Sequence, residues 1–180
     1  MASIKLTGDT SGEITIAAPA VAGTNTLTLP ASTGTIITDT APKVGNVLQV
    51  VSSTYSTSVS STTTTRVNTG LTATITPSST SSKILVLVSQ VIFKNPTSAN
   101  GAKVWLMRDS TDLFINSRVG LTDTTSNGCW VGWGTSYLDS PNTTSAVTYK
   151  TQFANHGATG TVYANLDGDT AQITLLEIAG

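Results

Sequence analysis

Only 11% of the 180 residues are charged, against about 25% in ordinary soluble domains, and Ser, Thr, Gly and Asn fill the space. A formal net charge of -1 leaves no basic field to attract nucleic acid or anionic lipid. No apolar run approaches the about 18 residues of a membrane span, so neither nucleic acid binding nor membrane insertion is expected.

The first 40 residues predict short strands with one apolar face each. In Glu13-Ile14-Thr15-Ile16 and in Thr26-Leu27-Thr28-Leu29-Pro30 the apolar side chains fall at every second position, the period of a half-buried strand. Nothing nearby supplies a core, and so short a segment buries too little surface to fold alone. Copies of itself or another protein must cover it, which makes residues 1–40 an assembly module. Met1-Ala2-Ser3-Ile4-Lys5 runs straight into polar residues, without the apolar stretch of a secretory leader, so synthesis in a cytoplasm is expected. Residues 41–45, Ala41-Pro42-Lys43-Val44-Gly45, have linker composition.

From Asn46 to Gly180 the chain reads as strands at the spacing of a sandwich or barrel. Leu71, Ala73 and Ile75 alternate cleanly before Pro77, while Lys83 to Phe93 is apolar on both faces. A strand in an antiparallel sandwich needs one apolar face only, so the second face of this one calls for cover by either loops or a neighbouring subunit. Asp109-Ser110-Thr111-Asp112 marks a hairpin turn. Between Gly128 and Leu138, Cys129, Val131, Trp133, Thr135 and Tyr137 share one side and Trp130, Gly132, Gly134 and Ser136 the other. Val147, Tyr149 and Phe153 are expected to face inward, with Thr148, Lys150 and Gln152 outward. The expected architecture is therefore all-β, a short N-terminal β module followed by an antiparallel sandwich over residues 46–180.

Chemistry is sparse. Cys129 is the lone cysteine, which excludes an internal disulfide. Asp109, Asp112, Asp123, Asp139, Asp167, Asp169 and Glu177 sit mostly beside turn residues, and no two advertise the pair of carboxylates that glycan hydrolysis requires. His156 is the only histidine, and Asp167-Gly168-Asp169 lacks the full calcium loop. No catalytic residue, metal site or cofactor is expected. Trp130, on the face opposite the predicted core side, is the candidate for a subunit or receptor contact. Ser98, Asn127 and Asn142 lie in the polar loops 95–100, 123–127 and 142–145, whose adaptable hydrogen bonding suits recognition.

Gly23-Thr24-Asn25-Thr26-Leu27-Thr28-Leu29-Pro30-Ala31-Ser32-Thr33-Gly34-Thr35 resembles a segment of bacteriophage fibre and tail proteins, cyanophage ones included. Ile75-Thr76-Pro77 with Ser82-Lys83-Ile84-Leu85-Val86 is similar to parts of the C-terminal β-domain of those proteins. So are Tyr137-Leu138-Asp139-Ser140-Pro141 with Val147-Thr148-Tyr149-Lys150, and Ile173-Thr174-Leu175-Leu176-Glu177-Ile178. The resemblance implies a homotrimeric virion protein with a jelly-roll knob, comparable to tumour-necrosis-factor-like or complement-C1q-like heads. It further implies attachment through the N-terminal module to tail, baseplate or capsid proteins, and contact of the knob with a host surface glycan or protein. Long shaft repeats are missing, so a capsid head fibre or decoration (cement) protein is the alternative, with a polysaccharide depolymerase behind it.

Overall fold

The computed structural model describes residues 3–8, 10–17, 43–95, 101–120, 128–157 and 159–180. Two compact units divide the chain, Met1–Ile36 and Ile37–Gly180.

In the first unit, β1 (Ser3–Thr7) and β2 (Glu13–Ala17) form an antiparallel hairpin. The register Ile4↔Ile16 and Leu6↔Ile14 places four apolar side chains on one face. They are 63%, 47%, 54% and 67% exposed respectively, so nothing described covers that face. Lys5 pairs with Glu13 at 2.7 Å on the opposite face. A lone two-stranded hairpin is marginal in water. The expected strand at 26–30 and the resembling segment around it lie outside the described residues.

The second unit contains ten strands: β3 (Val47–Tyr55), β4 (Val59–Ser61), β5 (Val67–Ile75), β6 (Lys83–Lys94), β7 (Ala102–Arg108), β8 (Thr111–Val119), β9 (Cys129–Asp139), β10 (Val147–Asn155), β11 (Val162–Ala164) and β12 (Ala171–Ile178). One sheet runs β3-β12-β6-β9, and the short β4-β11 ladder continues beside β6 past the end of β12. The other runs β5-β10-β7-β8. All pairs are antiparallel. Eight long strands in this order have jelly-roll connectivity.

Alternation explains which side of each strand is dry. From one sheet Ile84, Val86, Val88, Ile92, Ile173 and Leu175 point inward, and from the other Leu71, Ile75, Val104, Leu106, Tyr149 and Phe153; all are at least nine-tenths buried. Each such side chain contributes roughly 1.5–3 kcal/mol of transfer free energy on burial. Trp133 belongs to this core and Tyr137 packs against it. Residues 43–46 form a turn tied to the last strand, with Gly45 N–H donating to Ala179 O at 2.8 Å and Ala179 N–H to Asn46 O at 2.8 Å.

A polar chain crosses the interior between the sheets. The Thr69 hydroxyl meets the Thr151 hydroxyl at 2.5 Å, Thr151 donates to Gln90 Oε1 at 3.0 Å, and Gln90 Nε2 donates to Asn165 Oδ1 at 3.4 Å. Buried polar groups are tolerated when they are paired in this way, although Asn165 Nδ2 at the end of the chain is buried without a partner.

Candidate functional site

Jelly-roll connectivity sends successive connections to opposite ends of the sandwich. One end gathers the C-terminus of β6, the N-termini of β7 and β9, and the C-termini of β8 and β10, as the registers Lys94↔Cys129 and Asn155↔Ala102↔Val119 require. The opposite end holds the β7–β8 turn and the connection from β9 to β10. The candidate recognition residues are thereby split. Trp130 stands at the first end, next to the connections in which Ser98 and Asn127 occur, although both of these lie outside the described residues. Asn142 is exposed at the other end, with φ 53 in a turn. Nine residues of β9 separate Trp130 from Asp139, about 30 Å of strand. One contact patch cannot contain both Trp130 and Asn142.

What surrounds Trp130 is aromatic. Register pairs Phe93 with Trp130 across β6–β9 and with Tyr163 across β6–β11. The result is a row Tyr163–Phe93–Trp130 on the outer surface of the sheet. Ring centroids are 4.7 Å apart for Phe93–Trp130 and 5.9 Å for Phe93–Tyr163, at interplanar angles of 45° and 46°. Tilted pairs of this kind are favoured by the ring quadrupoles, so Phe93 holds the indole in place. Gly128 makes room, since a Cβ there would collide with the Phe93 ring. Trp130 is left 48% exposed. The part of Phe93 and Tyr163 was missed in the sequence; the only signal was Phe93 at the close of the strand with two apolar faces.

Beneath that row the backbone is pinned. Lys94 is fully buried, and its Nζ donates to Thr159 O at 2.7 Å. Asn155 Nδ2 donates to Thr159 O at 3.0 Å and to Gly160 O at 2.7 Å. Burial holds the Lys94 ammonium below its usual range. His156 is half-buried, and desolvation first, then the cations Arg118 and Lys103, lower its pKa. These groups anchor the connection 156–161 from inside.

The carboxylates have structural employment. Asp139 Oδ2 accepts from Arg108 Nη1 and from Tyr149 Oη, both at 2.7 Å. Burial and this carboxylate raise the Tyr149 phenol well above its ordinary range. Asp112 receives two bonds from Arg66 at 2.6 and 2.7 Å, while Arg66 also lies 4.5 Å over the Trp105 ring. Asp109 Oδ1 accepts from Thr148 N–H at 3.0 Å at the hairpin turn. Glu177 accepts from Ser78 N–H, Ser78 Oγ and Gln49 Nε2. Asp167 lies inside a 3-10 turn, Leu166–Gly168, in left-handed geometry at φ 59, and Asp169 follows as its C-cap. Among the described residues no group of three or more His, Cys, Asp or Glu is placed to hold a metal ion.

No family model matches the chain and no curated protein matches it. Solved structures with some likeness include that of infectious bursal disease virus Gx strain, 12% identical with a TM-score of 0.36, covering 97% of this chain and 45% of that one. Two others are of T=1 particles derived from the same virus: a mutant VP2 protein (13%, TM-score 0.37, 97% and 44% covered) and a further particle structure (12%, TM-score 0.38, 97% and 44%). The chain spans less than half the length of those proteins, and at these scores nothing of their assembly transfers to it.

Proposed function

We propose that this chain is a non-enzymatic virion protein of a bacteriophage, a homotrimeric fibre knob that attaches to a glycan or protein on the host surface. The observation that carries this reading is the half-exposed Trp130, held by Phe93 in an aromatic row on the outer surface of the sheet at one end of the sandwich. A flat π-face suits the apolar face of a sugar ring. The resemblance of the quoted segments to phage fibre proteins supports the virion assignment. Binding is favoured over hydrolysis because Asp109, Asp112, Asp139 and Glu177 are each committed to a turn, an ion pair or a clamp. Weak sites multiplied over three subunits and several knobs hold a particle through effective concentration.

The test is binding of the purified full chain to bacterial envelope polysaccharide and to whole cells. Retention by the envelope is expected, with Trp130→Ala weakening it about tenfold or more. Retention by capsids with none on any envelope would favour the decoration alternative, and release of reducing ends from the polysaccharide would favour the depolymerase.

A further inference from the structure

The outer surface of the β3-β12-β6-β9 sheet carries a second feature, about 26 Å along β9 from Trp130 at the opposite end. The registers Val50↔Leu176, Leu176↔Leu85 and Leu85↔Leu138 align one apolar residue from each of the four strands in a single row. Val47 and Ile178 extend it on one side and Leu87 on the other. Val50 is 58% exposed and Leu138 50%. In the row of Leu87 its neighbours Ser52, Thr174 and Ser136 are already polar, and the next outward row, Thr54, Gln172, Ser89 and Gly134, has no apolar side chain.

We infer that this face seats a second copy of the chain and is the contact between knob subunits, an inference that rests on the oligomeric part of the function proposed above. Charge points to self-association. In the rows from Val47 to Thr54 the only charged outward residue is Lys83, at the margin opposite Ile178, so a charged partner finds little to recognise and a copy brings a single lysine whose ammonium can stay in water at the rim. Area allows it: four strands at about 4.8 Å by about eight residues at 3.4 Å give roughly 500 Å² on this face, and a matching area on the neighbouring copy brings each contact to about 1,000 Å², the lower bound for a specific interface. Economy favours it too. The β1–β2 hairpin leaves Ile4, Leu6, Ile14 and Ile16 exposed in the same chain, and one event of self-association supplies copies to both apolar faces, whereas foreign partners would have to be two.

Sedimentation equilibrium of the full chain at micromolar concentration tests this, with Leu138→Arg and Ser136→Arg as face variants and Ile115→Arg, on the outer surface of the other sheet, as control. Ser136 is an exposed polar residue, so its replacement blocks face-on packing without touching the core, and circular dichroism checks each variant for native strand content. The unaltered chain and the control are expected to sediment as the same oligomer, and both face variants at the single-chain mass of 18.5 kDa. Folded face variants that keep the oligomer mass would overturn the inference, as would a monomeric parent chain. Envelope binding is read separately, so loss of that binding with the interface intact would sink the attachment reading alone.

Discussion

Glu177 shows how one side chain can govern a whole connection. It points into the sandwich from β12 and is fully buried, yet its carboxylate accepts from Ser78 at 2.6 and 2.7 Å and from Gln49 at 2.5 Å. Burial alone would raise its pKa, but the hydrogen bonds from Ser78 and Gln49 outweigh that and hold it below the ordinary 4.5. A carboxylate with a depressed folded-state pKa contributes stability that is complete above its unfolded value and is lost as pH falls through the folded one. Urea midpoints of the parent chain should therefore decline as pH drops below about 4.5, and Glu177→Gln should flatten that decline. Glu177→Ala should cost about 1–3 kcal/mol at neutral pH by leaving Ser78 N–H and the Gln49 amide without their acceptor. A urea midpoint unchanged from the parent would remove the clamp from the account. Neither this role nor that of Lys94 could be read in the sequence. A charged residue at a strand end reads as solvated, and only the partners supplied by distant loops, Ser78 for one and Thr159 for the other, make its burial tolerable.

Strands were the legible part, and the reason is period. β6 runs one residue past its expected end, to Lys94. β4 and β11 have three residues each, too few to show a period of their own. Residues 52–65 are rich in Ser and Thr, yet β3 continues into them to Tyr55 and β4 lies within them. Gly70 explains part of that region: it has φ +90, and its missing side chain admits the Tyr55 ring from β3 where the β5–β10 register slips. Gly70→Ala should therefore destabilise by about 1–3 kcal/mol, through strain and collision together, and chemical unfolding curves measure it. A loss below about half a kcal/mol would mean that β3 does not close on β5 in this manner. The aromatic row lay beyond sequence reading for another reason. Phe93, Trp130 and Tyr163 are separated by more than thirty residues at each step, and only register brings them side by side.

The assembled chain presents two surfaces with different characters on one sheet: an apolar band around Leu85, Leu138 and Leu176, and the aromatic row at the far end. Under the proposed function, their separation would let self-association and surface recognition proceed without competing for the same side chains. Low charge limits salt-dependent, nonspecific adhesion, so attachment would depend on fitted contacts repeated by symmetry. Raising salt from about 0.1 to 1 M, which shrinks the Debye length from about 10 to 3 Å, should change envelope binding little. A collapse of binding over that range would point to a charged recognition site instead. A reconstruction of the virus particle that carries this chain tests the account most directly. It should reveal threefold clusters of the sandwich on the particle exterior, in contact through the β3-β12-β6-β9 faces, with the Tyr163–Phe93–Trp130 row open to solvent. Single copies lying flat on a capsid lattice, with that row buried against it, would contradict the account.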